Sequence, residues 1–212
     1  MTSAPHTTPS SQQSALQLLM SRQSRWPLTE PAPSQAELDQ VLDLALRAPD
    51  HGQLQPWRFV VVRGEARQAL GEVFVQAAKA RDPHGDPQGD AERFRHKAMA
   101  APLLIAMGAH LRPGHKVPQS EQLLAVGAAA MNLLNGLHLL GYGGFWATGL
   151  NSHDARVKTA LGFAATDALI GFLYIGTPKE AAPHVERPAR QRFVREWAPD
   201  ASLLNAGQTE TL

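Results

Sequence analysis

An α+β fold, with a central mixed sheet wrapped by helices and one long buried core helix, follows from three observations. Two runs, Pro102–Ala109 (PLLIAMGA) and Ala168–Thr177 (ALIGFLYIGT), are apolar almost without interruption, as strands covered on both faces are. Between them, Glu121–Leu140 is apolar nearly all round and rich in alanine and glycine. That is the pattern of a buried helix whose small residues let neighbouring backbones come close. Helices and strands also follow one another without a strict strand–helix–strand repeat, which favours α+β over a doubly wound parallel sheet.

Each element has a local cause. Leu16, Leu18, Leu19 and Met20 fall at helical spacing, so the first helix runs from Ala15 to about Gln23. Ser34 is a good N-cap with an acid at Glu37, and the helix it opens extends to Ala48, where Pro49 stops it. Trp57–Val62 reads as a strand closed by Gly64, and Glu65–Ala80 as an amphipathic helix. Asp82–Asp90 (DPHGDPQGD) is an exposed turn-rich loop, followed by a short helix through His96. After the Pro102–Ala109 strand, His110–Pro118 is a loop. The long helix then spans about 30 Å at 1.5 Å per residue. Glu121, Gln122, Asn132, Asn135 and His138 interrupt its apolar run, which argues for a core helix partly at a dimer interface over a membrane span. Gly141–Gly149 leaves it as a strand, Asp154–Leu161 is a short helix, and Pro183–Trp197 is an arginine-rich arm closed by a Phe193–Trp197 anchor. Residues 1–13 and 199–212 read as disordered tails around a single domain, 14–198.

Composition narrows the function. At 212 residues, 43% apolar and 18% charged, the chain fits one full-sized core, and the low charge fraction suggests that a partner covers some surface. A net charge of +1 gives no electrostatic case for nucleic acid or membrane surfaces. The absence of cysteine excludes disulfides, thiolate metal sites, iron–sulfur clusters and cysteine nucleophiles. The N-terminus has neither a basic nor an apolar signal region, so the expected location is the cytoplasm.

Several motifs fail on order or spacing. The glycines of Gly141–Gly144 follow a helix and enter a strand, the reverse of a dinucleotide fingerprint. No phosphate-loop lysine motif and no nucleophile elbow is present. The nine histidines contain no HExxH, and His110 and His115 flank a proline-containing loop with no acid between them. They read as solvent-facing side chains, with no metal site.

The densest segment is Arg47–Phe59 (RAPDHGQLQPWRF), a loop that runs straight into the buried Val60–Val62. A cation, an imidazole and two amides at the mouth of a strand suit a ligand better than a plain connector. Further donors stand at Arg22–Gln23–Ser24 and on the arm at Arg187, Arg190 and Arg192. Taken singly, each arginine reads as a solvated charge. Together, guanidinium and hydroxyl donors for a phosphate, amides for a ring edge, and a flat apolar floor at Leu54 or Trp146 fit flavin mononucleotide best among common cofactors.

These segments resemble the FMN-dependent nitroreductase family, in its compact branch of NAD(P)H nitroreductases. The resemblance spans about Ala15 to Trp197 and rests on linked motifs in order. They are ALQLLMSRQS with Glu30–Pro33, LRAPDHGQLQPWRFVVVRG, HKVP (His115–Pro118), GYGGFWATG, and Ile170–Pro178. It implies a nitroreductase-like fold and an obligate homodimer with two FMN sites between the subunits. Arg22 and Ser24 match phosphate and ribityl contacts, and Gln23 stands in place of an arginine. Arg47 and His51 match flavin contacts, Leu54 and Gln55 lie in a loop given across the dimer, and Trp146, Ala147 and Thr148 match the segment beside the ring. Arg187 matches a C-terminal phosphate-binding arginine. Ala147 replaces a larger cationic side chain, implying a more open and less anion-friendly pocket.

The implied activity is ping-pong hydride transfer from NAD(P)H, a transient co-substrate, to FMN and on to a nitroaromatic, quinone or related electrophile. Arg47 and His51 are the candidate catalytic groups, as a cation at the flavin edge and a proton source. The alternatives are a non-catalytic flavin-binding module and a flavin-dependent dehydrogenase of a specific metabolite.

Overall fold

The computed structural model describes residues 11–198. The expected C-terminal tail, 199–212, lies outside them, as does most of the N-terminal one. The chain divides into two units, residues 1–181 and 182–212.

The first unit is a five-stranded sheet between two helical layers. Its strands are β1 (Leu28–Thr29), β2 (Trp57–Arg63), β3 (Leu103–Ala109), β4 (Gly143–Ala147) and β5 (Ala168–Pro178), and its α-helices are α1 (Ser11–Ser21), α2 (Gln35–Ala45), α3 (Ala66–Arg81), α4 (Pro87–Met99), α5 (Gln119–Leu139) and α6 (Ala155–Ala160). The sheet order is β1-β5-β3-β2, with β4 also paired to β5. All four strand pairs are antiparallel, where the sequence predicts a mixed sheet. The reason lies in the connections. One crossover helix returns a chain to the end where the strand began, but α3 and α4 together make a double excursion between β2 and β3 and reverse the direction.

Strand β3 is buried along its whole length because both faces are covered. On one face α2 and α5 bury Leu38, Val41, Ala129, Leu133 and Leu137 against Leu103, Ile105, Leu173 and Ile175. On the other, α3 and α4 bury Leu70, Phe74, Phe94 and Ala98 against Leu104, Ala106, Phe172 and Tyr174. Helix α5 is long and apolar enough to cross a membrane by length and composition. Its buried stripe, from Gln122 to Leu137, is nevertheless used to close the core against the sheet and α2.

Three helices differ most from the sequence reading. Helix α1 spans Ser11–Ser21 and not Ala15–Gln23. Helix α2 ends at Ala45 because its last turn tightens ahead of Pro49, with Arg47 N–H donating to Leu44 O (3.1 Å) and Ala48 N–H to Ala45 O (3.2 Å). Helix α4 starts at Pro87, inside the expected loop. Asp86 caps it by accepting from the N–H groups of Gln88 and Gly89, and proline suits the first helical position.

In the second unit, the described residues 182–198 are exposed, with a single 3₁₀ turn at Arg190–Arg192. Phe193 and Trp197, expected to anchor the arm, are 71% and 79% exposed.

Candidate active site

The loop between α2 and β2 is shaped by one carboxylate. Asp50 Oδ2 accepts from the Gln55 N–H (2.7 Å) and the Asp50 carbonyl from the Gln53 N–H (3.2 Å). These bonds hold two non-glycine residues in the left-handed region, Gln53 at φ +53° and Gln55 at φ +49°, beside Gly52 at φ +75°. Such conformations cost about 1–3 kcal/mol each and gather at functional sites. Leu54 points inward and is buried, while Arg47, His51 and Gln55 are exposed. His51 Nδ1 lies 2.5 Å from Glu121 Oε2 in the first turn of α5. The carboxylate only accepts, so Nδ1 donates and Nε2 is left for other work.

The second donor segment follows α1. Arg22 and Gln23 are half-buried and Ser24 is exposed. The Arg25 N–H donates to the Gly144 carbonyl (3.2 Å), and its guanidinium donates to the Glu180 carbonyl. These bonds bring Arg22–Ser24 alongside β4, whose end carries Trp146, Ala147 and Thr148. Trp146 turns towards the α5 face, with its indole N–H on the Ile170 carbonyl (3.2 Å). Space for that indole exists only because residue 171 is glycine. A Cβ there would lie 2.5 Å from Trp146 Nε1 and 2.7 Å from the Ala147 carbonyl, at a φ of +143°. Ala147 faces the other side, towards α4, and Thr148 is exposed.

Beside Ala147 is a cavity of about 350 Å³ walled by Trp26, Phe145 and Tyr174. The indole of Trp26 meets Phe145 at 5.4 Å and the edge of Tyr174 at 5.7 Å. Arg93, His96 and Lys97 of α4 complete the lining, which contains no acid. Burial, and then the charge of Arg93, hold the Lys97 ammonium below its usual pKa. Burial pushes the Tyr174 phenol well up, so it stays a neutral donor, and its hydroxyl has no partner among the described residues.

The predicted site residues therefore form two sets within the first unit. Arg22, Gln23 and Ser24 lead into the Arg25–Gly144 bond on β4, and Trp146, Ala147 and Thr148 lie at the end of the same strand. Arg47, His51, Leu54 and Gln55 sit at the start of β2, three strand spacings away across β5 and β3, or about 14 Å. Arg187 belongs to the second unit. Arg93, His96 and Lys97 escaped the sequence reading, although their i, i+3, i+4 spacing puts them on one helix face. Tyr174 was hidden inside an apolar strand run. The two loop histidines are half-buried and each is tied to the chain. His110 Nδ1 pairs with the buried Asp167 at 2.8 Å, and His115 Nδ1 accepts from the Val117 N–H at 3.1 Å.

Known proteins with the same pattern can now be set beside this geometry. The family model described as "Nitroreductase family" matches residues 19–177. The chain is 36% identical over 181 residues to the Escherichia coli K12 protein named "Putative NAD(P)H nitroreductase YdjA", covering 85% of this chain and 97% of that one. It is 33% identical over 169 residues to the "Putative NAD(P)H nitroreductase" of Haemophilus influenzae, covering 79% and 90%. Among solved structures, a nitroreductase-like family protein from Bacillus cereus superposes with a TM-score of 0.76 at 19% identity, over 92% of this chain and all of that one. A Desulfovibrio desulfuricans protein described as "a putative nitroreductase in complex with fmn" superposes at 0.65 and 22% identity, over 87% and 98%. On the span of the family match and the identity to relatives covered almost end to end, this chain belongs to the nitroreductase family.

Proposed function

We propose that the chain is a homodimeric, cytoplasmic, FMN-dependent NAD(P)H oxidoreductase that reduces nitroaromatics, quinones or related electrophiles. The observation that carries this reading is the Arg25–Gly144 hydrogen bond, which ties the segment directly after Arg22–Ser24 to β4, in a chain whose relatives are named NAD(P)H nitroreductases. The donor chemistry fits the cofactor. Guanidinium and hydroxyl groups suit a phosphate, and the acid-free lining of the cavity beside Ala147 suits an acceptor-rich ring. Bound there, FMN would supply the hydride-transfer centre between NAD(P)H and the electrophile.

The chain's own groups divide the remaining work. Arg22 and Ser24 would hold the phosphate, and Gln23 would offer an amide beside them. Trp146, Ala147 and Thr148 would flank the ring. Arg47, Leu54 and Gln55 would come from the second subunit, since about 14 Å of sheet separates them from β4 within one chain. His51, with Nδ1 committed to Glu121, keeps Nε2 to carry a proton to the electrophile.

Surface chemistry supports the dimer. Leu16 and Met20 on α1 are 61% and 72% exposed, and Leu124 and Met131 on α5 are 71% and 41% exposed. Each pair falls on one helix face. The two helices are joined by His138 Nε2, which lies 2.9 Å from the Leu18 carbonyl. Apolar stripes of this kind mark protein interfaces.

The test is the visible spectrum of the purified protein, followed by anaerobic NADPH and NADH addition. Twin flavin bands that bleach are expected. A colourless protein that takes up no added FMN would refute the reading.

A further inference from the structure

We propose that Glu121 is a positioning residue, which holds the His51 ring in one orientation and one tautomer so that Nε2 alone exchanges protons with an electron acceptor. The proton delivery rests on the oxidoreductase reading above, whereas the pairing does not.

The two side chains meet because the backbone is fixed on both sides. His51 opens the 3₁₀ turn His51–Gln53, and the Gln53 N–H closes that turn on the Asp50 carbonyl. Glu121 stands in the first turn of α5, with its N–H on the Pro118 carbonyl at 3.0 Å. Gly52 packs the turn against the loop that enters α5, where a Cβ would lie 3.2 Å from Val117 Cγ2. Gln122, 2% exposed, fastens that loop in turn. Its Oε1 accepts from the Arg112 N–H and its Nε2 donates to the Val117 carbonyl, each at 2.9 Å.

Asp50 and Arg112, on the same two segments, are engaged elsewhere. Asp50 accepts from the Gln55 N–H, and the Arg112 guanidinium donates to the Leu54 carbonyl at 3.4 Å. Glu121 is left to His51 Nδ1, at 2.5 Å. The two side chains are 65% and 43% exposed, and an exposed pair adds little to stability. Its effect is on the ring, because the hydrogen bond at one nitrogen decides what the other carries.

An acceptor that has taken a hydride from NAD(P)H, by way of the flavin, holds negative charge on oxygen. The Nε2–H bond of the His51 imidazolium then breaks. The proton passes to that oxygen, and the electron pair stays on Nε2. The ring is left neutral with its remaining proton on Nδ1, the form that Glu121 holds, and solvent returns a proton to the exposed Nε2.

The test is long-range ¹H–¹⁵N NMR of the purified protein at about pH 9, where an imidazole is neutral, with the His51 signals assigned by their loss in His51→Asn. The parent should carry its proton on Nδ1. In Glu121→Gln the amide can donate to Nδ1 as readily as accept from it, so both tautomers should appear while the melting temperature holds within about 3 °C. Glu121→Ala should give the Nε2–H form that an unconstrained ring favours. Turnover supplies the second readout, with 4-nitrobenzyl alcohol, which takes up protons with its electrons, and ferricyanide, which takes up none. The ratio of the first rate to the second should fall about tenfold in Glu121→Gln, the scale of one charge-assisted hydrogen bond. A tautomer unchanged in both variants, or an unchanged ratio, would overturn the positioning role. A protein free of flavin whose His51 tautomer still answers to Glu121 would keep the pairing and sink the oxidoreductase reading. Flavin turnover with a tautomer indifferent to Glu121 would do the reverse.

Discussion

Gly171→Ala should unfold the protein early and loosen the end of β4. Two costs add at this residue. Its φ of +143° lies where side chains are hardly tolerated, worth about 1–3 kcal/mol. The new methyl would also meet Trp146 Nε1 at 2.5 Å and the Ala147 carbonyl at 2.7 Å, an overpacking worth about 1–3 kcal/mol. The sum centres near ~4 kcal/mol, against a total stability of about 5–15. For a domain of this size it lowers the melting temperature by about 8–16 °C. Circular dichroism at 222 nm measures the melt, and the ratio of visible to ultraviolet absorbance measures FMN retained by the same sample. Gly162→Ala is the control, because its φ is +78° but a Cβ there meets nothing within 4 Å. It should lose only the backbone part, about a third to a half of the effect. A Gly171→Ala protein that melts within about 3 °C of the parent and keeps its flavin would refute the argument that residue 171 is glycine to make room for the Trp146 indole.

Other outcomes follow from particular contacts. Hydrogen bonds from the Ser34 side chain and backbone, then from Tyr142, hold the Glu37 carboxyl below 4.5. Its contribution to stability is therefore complete above that value and lost as pH falls through the lower, folded one. Melting curves between pH 6 and pH 3 should fall less steeply in Glu37→Gln than in the parent, and identical slopes would remove the link. Arg81→Met strands the Asp154 carboxylate, 4% exposed and now 2.8 Å from Nη1, and should cost about 3–5 kcal/mol in urea unfolding. A loss below 1 kcal/mol would mean that the pair contributes nothing. Arg47→Ala should slow flavin reduction in rapid-mixing traces more than it weakens FMN binding, and equal reduction rates would remove its role.

The sequence revealed what single segments decide. A short, β-branched-rich or leucine-rich apolar run bounded by turn residues reads as a strand covered twice, so β3 and β5 were readable within two residues. Ser34 and Glu37 announce a capping box, and the box is present. Asp86 before Pro87 carries the same kind of signal, but it sits among so many turn residues that the loop masked it. Partners distant in the chain were not legible. His51 and Glu121 are 70 positions apart, and nothing local to either names the other. The cations of α4 could be placed on one helix face by spacing alone. Their convergence on Ala147 depends on how α4 packs over β4 and β5, and on the register that sets Ala147 opposite Phe172. The antiparallel sheet was hidden for a similar reason, since strand direction comes from counting both helices between β2 and β3.

The left-handed glutamines carry a consequence for evolution. A loop whose shape is fixed by Asp50 acquires its form when the chain folds, so the ordering cost of about 1–2 kcal/mol per residue is met before any ligand arrives. Such a loop can exchange the side chains it displays, at Arg47, His51 or the exposed amide of Gln55, while its backbone path stays the same. New specificities would then arise by single substitutions at the tips, and Asp50 would be the residue that drift could not afford to touch.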